Sequence, residues 1–155
     1  MCRRREAEAP VLEAMCRSIR PLFNLEPIAS ASVAQVHIAV LHDGAEVAVK
    51  VLRPGIESVI ERDLELLYLL ARLALRYAPQ ARRFRPVEVV NEFSKTIHDE
   101  LDLRVESANA SRLRANFEGS TLLHVPKVYW DLTRRTVMVL ERIHGIPIGN
   151  VEGLK

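Results

Sequence analysis

Residues 36–55 read VHIAVLHDGAEVAVKVLRPG, and this stretch decides the fold. Two runs rich in β-branched residues flank an Asp-Gly pair at positions 43 and 44. Asp-Gly between such runs is a strong short-range signal for a β-hairpin. The Pro-Gly pair after the second run ends it, because proline cannot donate to a ladder and glycine permits a turn. We therefore predict antiparallel strands over 36–41 and 46–52.

Helical spacing of apolar residues predicts three helices. The first covers 7–23, the second runs from about 57 to 77, and the third from about 90 to 113. The leucine stripe of the second is too broad for one face, so that helix should be covered on more than one side. Residues 28–33 contain four small residues in a row, 29–32, and show no helical period, which predicts a loop.

A second hairpin is expected near the end of the chain. Residues 125–130 and 136–143 favour strands, and the segment between them is polar. Two hairpins separated by helices indicate an α+β fold, in which helices pack against a small antiparallel sheet. A chain of 155 residues suits one domain of this kind.

Composition excludes several classes of protein. The 22 Lys and Arg nearly cancel the 20 Asp and Glu, and aromatic residues make up 5%, so we expect no nucleic-acid partner. Two cysteines lie outside any CxxC spacing and five histidines are scattered, so we expect no metal site. Because no signal peptide or membrane span is recognisable, we expect an intracellular protein, either free or peripheral to a membrane.

The strand at 46–52 carries the first candidate chemistry. Its alternation places Ala48 and Lys50 on one face, roughly 7 Å apart. A small residue there admits a flat ring, while an ammonium two positions on reaches phosphate oxygens. Taken alone, these residues fit a surface strand with one solvated lysine better.

Five segments of the chain form an ordered series: PIASASVAQVH (27–37), VAVK (47–50), RPG (53–55), ELDLRVESAN (100–109) and VPKVYW (125–130). Together they closely resemble the UbiB family, the AarF-domain atypical kinase-like proteins. The resemblance covers nearly the whole chain and implies a protein-kinase-like N-lobe.

Through this resemblance, residues 29–34 look like the family's alanine-rich loop, which stands where protein kinases have a glycine-rich loop over the nucleotide phosphates. Each Cβ adds bulk and restricts φ, so alanine should change how the nucleotide sits. Ser30 stands where the family more often has alanine. Without the neighbouring segments, an ordinary packed turn would explain the composition. The nucleotide-binding candidates in the loop are Ala29, Ser30, Ala31, Ser32 and Val33.

Lys50 resembles the nucleotide-phosphate lysine of the kinase fold, which needs a carboxylate partner because an unpaired buried ammonium is costly. Glu106 is the first choice and Glu100 the second. Glu100 and Asp102 also look like the family's E-x-D element, which in relatives meets a lysine of a K-x-G-Q motif absent upstream here. A solvated acidic helix face with local ion pairs is the alternative.

The last predicted strand resembles the kinase strand that enters the hinge. By this resemblance Leu140 is the gatekeeper, and the Glu141 carbonyl and Ile143 amide face the adenine edge. A donor and an acceptor side by side on extended backbone would complement adenine. A plain edge strand is the alternative.

Kinase chemistry also needs a catalytic-loop carboxylate and an Asp and Asn for magnesium. These motifs are not found, and the sequence ends a few residues beyond the presumed hinge. We therefore expect an N-lobe without its catalytic C-lobe, no catalytic residue in this chain, and weak nucleotide binding. We divide this partial domain into an N-terminal helix (1–27), loop and first hairpin (28–52), helical insertion and αC-like helix (53–117), and second hairpin and hinge (118–155).

The resemblance implies a nucleotide-binding lobe of a UbiB-type kinase or ATPase linked to ubiquinone biosynthesis, inactive alone. The complete family domain would use ATP or ADP with Mg²⁺. Partners would be the C-lobe or full-length protein, lipid-biosynthesis proteins or a membrane surface. The alternative is a non-catalytic module that binds protein or membrane through the helix at 57–77 and the basic connector 81–85, with burial against protein favoured.

Overall fold

The computed structural model describes residues 27–145. The helix expected over 7–23 lies outside the described residues. The predicted hairpin is present as β2 (Ala34–Val40) and β3 (Glu46–Leu52), paired antiparallel. Its turn is closed by the Ala45 N–H, which donates to Asp43 Oδ1 over 2.9 Å. Gly44, at φ 90°, adopts the left-handed conformation that glycine reaches without steric cost.

The sheet has four antiparallel strands in the order β1-β2-β3-β4. β1 (Ala29–Ser30) pairs with β2, and β4 (Val137–Glu141) pairs with β3. The prediction of a loop over 28–33 is thus wrong for two residues. They form a short outer strand on β2, flanked by hydrogen bonds from the Ile28 N–H to Val36 O and from the Ala31 N–H to Ala34 O.

The second predicted hairpin is only partly correct. β4 is shorter than the predicted strand, and residues 125–130 form an isolated bridge between Val128 and Leu140 rather than a strand. Pro126 lacks an N–H, and the Lys127 N–H donates to the Glu141 side chain instead of a backbone carbonyl. This segment therefore follows β4 without becoming a fifth strand.

Helices connect β3 to this segment. α1 (Ile56–Tyr77) confirms the second predicted helix and is followed by a 3₁₀ helix (Pro79–Phe84). The third predicted helix is two helices, α2 (Pro86–Glu100) and α3 (Leu103–Asn116). None of the helices in residues 27–145 combines the length and apolar character that crossing a bilayer requires.

The break between α2 and α3 falls at Asp102, whose backbone is extended. The Asp102 carboxylate accepts the Arg104 N–H over 3.0 Å and so caps α3. The break lets both neighbours, Leu101 and Leu103, turn under the sheet, where each is 1% exposed. A continuous helix would place these two leucines about 200° apart, so only one could pack there.

Apolar side chains pack against both faces of the sheet. One cluster contains Ala39, Val47 and Val139, and the other joins Leu52 and Met138 to the leucines at the α2–α3 break. The prediction that α1 is covered on several sides is wrong within the described residues. Only Leu64 and Ala71 of this helix are buried, because α1 contacts the other described elements along one narrow stripe of its surface.

Candidate functional site

An ion pair links the middle strand to α3. Lys50 Nζ donates to Glu106 Oε1 and Oε2 over 2.7 and 2.6 Å. The side chains are 27% and 46% exposed, so the pair lies at the edge of solvent rather than in the core. Of the two carboxylates considered as partners of Lys50, the structure brings Glu106 to it.

The packing of α3 explains why Glu106 reaches this position. Leu103 and Ser107 are buried one turn apart, and Ala110 packs against the same cluster. Because residues three and four apart share a helix face, Glu106 lies on the side of α3 that meets the sheet. Its place in the first turn also favours a negative charge, since the helix N-terminus carries partial positive charge.

Lys50 shares its sheet face with a row of apolar side chains. β3 pairs Lys50 with Val36 on one side and Met138 on the other. The next row on this face, two residues back along β3, places Ala48 between Ile38 and Leu140. All three of these are half-buried. The face therefore offers a small, partly open apolar surface beside the ammonium.

The Ala/Ser loop, residues 29–33, lies near the end of β3, on the side of Lys50 that faces away from Ala48. Ala34 pairs with Leu52, two residues past the Lys50 row and roughly 7 Å along the strand. Residues 29–32 are exposed and Val33 is half-buried. The loop is thus next to Lys50 on the side opposite Ala48.

Arg53 fastens this loop to the end of β3. Its backbone N–H donates to Val33 O over 2.8 Å. Its side chain donates from Nε to Ala31 O over 3.1 Å and from Nη2 to Ser30 Oγ over 2.7 Å. The loop is therefore held at three points by one residue.

Glu100 and Asp102 do not contribute to the Lys50 pair. Glu100 is exposed at the end of α2. The Asp102 carboxylate accepts Arg104 Nε and Nη2 over 2.9 and 2.6 Å in addition to its capping bond. These hydrogen bonds from Arg104 lower the pKa of Asp102 to about 2. The described contacts of Asp102 are those of a helix cap.

The end of β4 presents backbone groups that lack a partner in the sheet. The Arg142 N–H donates to Glu46 O, so the alternating ladder turns the polar groups of Glu141 away from β3. The Glu141 N–H donates to Lys127 O over 2.8 Å. Within residues 27–145, no backbone hydrogen bond reaches the Glu141 carbonyl or the Ile143 amide.

The Glu141 side chain forms a second junction. It accepts the Lys127 N–H over 3.0 Å and lies 3.3 Å from His124 Nε2 and 3.6 Å from Arg114 Nη1 of α3. The Lys127 N–H lowers the pKa of Glu141 below its ordinary value, and the charges of His124 and Arg114 act in the same direction. Glu141 therefore ties β4 to α3.

Sequence reasoning missed three groups around the site. Arg53 was considered only as the end of a strand, Glu141 only for its carbonyl, and Glu46 not at all. The Glu46 carboxylate lies 3.2 Å from Arg142 Nη1 and 2.8 Å from His144 Nε2. Only Arg53 had a usable signal, because it follows Lys50 by three residues in the RPG segment.

Clustered metal ligands were sought among the described residues. Between residues 27 and 145, no three His, Cys, Asp or Glu side chains come together in a way that could hold a metal ion. Magnesium in proteins is usually held by carboxylates and substrate phosphates.

A small antiparallel sheet, with a strand lysine paired to a helix carboxylate on its open face, defines the N-lobe of a kinase-like domain. Residues 6–155 match the family described as the ABC1 atypical kinase-like domain, and the chain belongs to that family. The resemblance to UbiB proteins is confirmed by the relatives described next.

The chain is 58% identical over 133 residues to "Probable protein kinase UbiB" of Marinobacter nauticus, covering 86% of this chain and 24% of that protein. It is 60% identical over 133 residues to the protein of the same name from Pseudomonas aeruginosa, covering 86% and 25%. The chain thus spans about a quarter of the length of these curated relatives.

A solved structure has the same fold. It is a complex of Rv3197 with erythromycin from Mycobacterium tuberculosis, with a TM-score of 0.75 and 30% sequence identity. The match covers 96% of this chain and 41% of that one. Both kinds of comparison agree with an α+β kinase-like N-lobe.

Proposed function

We propose that this chain is the nucleotide-binding lobe of a UbiB-type atypical kinase or ATPase. The observation that carries the proposal is the Lys50–Glu106 ion pair on the sheet face that also holds Ala48 and Leu140. A lysine fixed by a carboxylate beside a small residue is what a nucleotide needs at the junction of its base and phosphates. The ligand would be ATP or ADP.

In this proposal the adenine ring packs on the apolar row around Ala48. The Glu141 carbonyl and Ile143 amide, which no backbone group in residues 27–145 occupies, would meet the donor and acceptor of the adenine edge. The phosphates would extend toward Lys50 and the Ala/Ser loop. Magnesium would reach the site with the nucleotide, held largely by its phosphate oxygens.

The biological setting is also a proposal. The relatives carry the name UbiB, and the family's link to ubiquinone biosynthesis comes to this chain through that likeness. We infer that the lobe works with a catalytic lobe. Alone it offers one wall of a cleft, so its affinity for nucleotide should be low and it should not catalyse phosphoryl transfer.

Backbone-amide NMR of the 155-residue chain tests this function. Titration with Mg-ATP and Mg-ADP should shift the amides of 30–33, 48–50 and 141–143 progressively. Lys50→Ala should abolish the shifts, because the phosphates lose their cation. Lys95→Ala is the matched control, since Lys95 pairs with the Glu92 carboxylate at 2.7 Å on exposed α2.

Two results would refute the assignment. One is the absence of any shift in the wild-type chain at the highest soluble nucleotide concentration. The other is equal affinity of wild type and Lys50→Ala, because the proposal makes Lys50 the principal phosphate contact. Equal affinity of wild type and Lys95→Ala is the expected outcome of the control.

A second candidate function is a non-catalytic interaction module built on α1. Leu66, Leu69 and Leu70 are each more than half exposed on this helix. Such a contiguous apolar stripe is typical of a surface that binds something. The helix carries four acidic and three basic residues, so its charge favours a protein partner over an anionic membrane.

Flotation with phosphatidylserine vesicles tests the membrane form of this module. If the membrane is the partner, the wild-type chain floats, and Leu69→Glu and Arg83→Glu remain at the bottom of the gradient. We expect the wild-type chain not to float, because α1 lacks the basic face of an interfacial helix. Flotation of the wild type that either substitution abolishes would contradict this expectation.

A further inference from the structure

Arg53 joins the Ala/Ser loop to the strand carrying Lys50. Its three hydrogen bonds reach Ser30, Ala31 and Val33, as described above. A guanidinium is planar and presents its donors in a fixed fork. Two contacts from one fork therefore fix the position of the loop relative to β3, which a single flexible contact would not do.

The loop has little else to order it. The side chains of residues 29–32 are exposed, so packing against the core contributes little there. The pairing of β1 with β2 covers only Ala29 and Ser30, and a further bond joins the Ala31 N–H to Ala34 O over 2.9 Å. The tip at Ser32 lies beyond that pairing. Val33 at the end of the loop packs against the core, and the side-chain hydrogen bonds that reach the loop within residues 27–145 come from Arg53.

The charges of Arg53 and Lys50 are balanced differently. Lys50 is neutralised by Glu106 through two short hydrogen bonds. Arg53 has an oxygen partner in Ser30 and another in Ala31, both uncharged, and no ion pair within residues 27–145 includes it. The uncompensated positive charge at this end of β3 is thus that of Arg53.

We propose that Arg53 is a positioning residue for nucleotide phosphates. It holds Ser30 and Ala31 in place so that the Ala/Ser loop is ordered before a nucleoside di- or triphosphate arrives beside Lys50. The inference rests on the proposed function. Its physical basis is that a loop fixed in advance loses less conformational entropy when the ligand binds.

The first measurement needs no ligand. Heteronuclear ¹H–¹⁵N NOE values of the Ser30–Val33 amides report loop order on the fast timescale, and the Arg53 Nε–H resonance reports its bond to Ala31 O. Arg53→Lys keeps the charge but loses the fork, so the NOE values should fall throughout the loop. Ser30→Ala removes one of the two side-chain contacts and should lower them in part.

Ser32→Ala is the matched control. Ser32 is exposed, and its hydroxyl makes no hydrogen bond within residues 27–145. Its removal should leave the NOE values and the Arg53 Nε–H resonance unchanged. The melting temperature of each variant shows whether the remainder of the fold is intact. Ser30→Ala removes one exposed hydroxyl and should not unfold the chain. It therefore still tests the Arg53 contact if Arg53→Lys proves unfolded.

The second measurement compares two ligands. Ser30→Ala should weaken ATP binding by about fivefold, since one hydrogen bond contributes about 1 kcal/mol, and Arg53→Lys, which loses the fork that makes both contacts, should weaken it further, by up to about 30-fold. Adenosine has no phosphates, so its affinity should not change in either variant. A uniform loss for both ligands would overturn the phosphate assignment, because that is the pattern of general destabilisation.

The outcomes separate this inference from the proposed function. If the wild-type chain gives no ATP-dependent shifts, the proposed function fails, and with it the assignment to phosphates. If the wild type binds ATP and Arg53→Lys binds it equally well, only the role of Arg53 fails. Unchanged NOE values in Arg53→Lys would likewise overturn the positioning role alone.

Discussion

Lys50 and Glu106 are separated by 56 positions in sequence, yet the ammonium lies 2.6 Å from Glu106 Oε2. Two features of the fold bring them together: the alternation of β3, and the break before α3 that turns Glu106 toward the sheet. The pair is partly exposed on both sides. We therefore expect the pair to contribute little to the free energy of unfolding and to matter mainly for ligand binding.

A double-mutant cycle tests this distinction. Lys50→Met, Glu106→Gln and the combined variant should give a coupling free energy below about 1 kcal/mol in urea unfolding, because solvent screens partly exposed pairs. The Lys95–Glu92 pair, which is more exposed, is the reference and should couple still more weakly. A coupling of about 3 kcal/mol, typical of buried pairs, would contradict the prediction.

The leucines at the helix break should dominate the stability of the lobe. Leu101→Ala and Leu103→Ala should each lower the free energy of unfolding by roughly 2–5 kcal/mol, since both side chains are buried and leave a cavity. Leu122→Ala is the control, because Leu122 is 96% exposed and should change stability by less than about 0.5 kcal/mol. Urea midpoints measure all three. Equal values for core and control would disprove the packing.

The charge of Asp102 should make stability depend on acid pH. Arg104 lowers the folded-state pKa of Asp102 to about 2, below its value in the unfolded chain. The resulting stabilisation is present above about pH 4, the ordinary aspartate value, and is lost as pH falls through the folded pKa. Asp102→Asn keeps the cap but lacks the charge, so wild type should be the more stable near neutrality and lose that advantage near pH 2.

Thermal unfolding between pH 2 and 7 measures this difference. Asp102→Ala removes cap and charge together and should cost about 1 kcal/mol more than Asp102→Asn at every pH, since asparagine caps helices about as well as aspartate. If the stability difference between wild type and Asp102→Asn stays constant with pH, Arg104 does not lower the pKa of Asp102.

Filling the apolar row should remove nucleotide binding without unfolding the lobe. Ala48→Leu places a branched side chain between Ile38 and Leu140, where the ring is proposed to pack. Affinity for ATP should fall by at least about tenfold, equivalent to 1.4 kcal/mol. Ala108→Leu on the exposed part of α3 is the control. If Ala48→Leu binds ATP as tightly as the wild type, the adenine ring does not pack on this row.

Much of the sheet could be predicted because its signals are local. The Asp-Gly turn and the β-branched runs define the first hairpin within one short stretch, and the whole of β3 was predicted at its observed bounds. The break at Asp102 could not be read from periodicity, since Leu101 and Leu113 continue a helical stripe. The position of the break depends on the packing of Leu101 and Leu103 beneath the sheet, against residues that are distant in sequence.

The site divides in the same way. The alternation of β3 predicted that Ala48 and Lys50 share a face, whereas the choice between Glu100 and Glu106 depended on where α3 begins. The contacts of Arg53 with Ser30 and of Glu141 with Arg114 join segments more than 20 positions apart. No pattern within either segment encodes such contacts.

The junction at Glu141 has a consequence for motion. α3 is attached to β3 near its first turn through Glu106, and to β4 near its last turn through Arg114, which also donates to Val125 O over 2.7 Å. Swinging this helix outward would have to break attachments at both of its ends. The lysine, its carboxylate and the strand edge beyond Leu140 are thereby linked through the two ends of one helix.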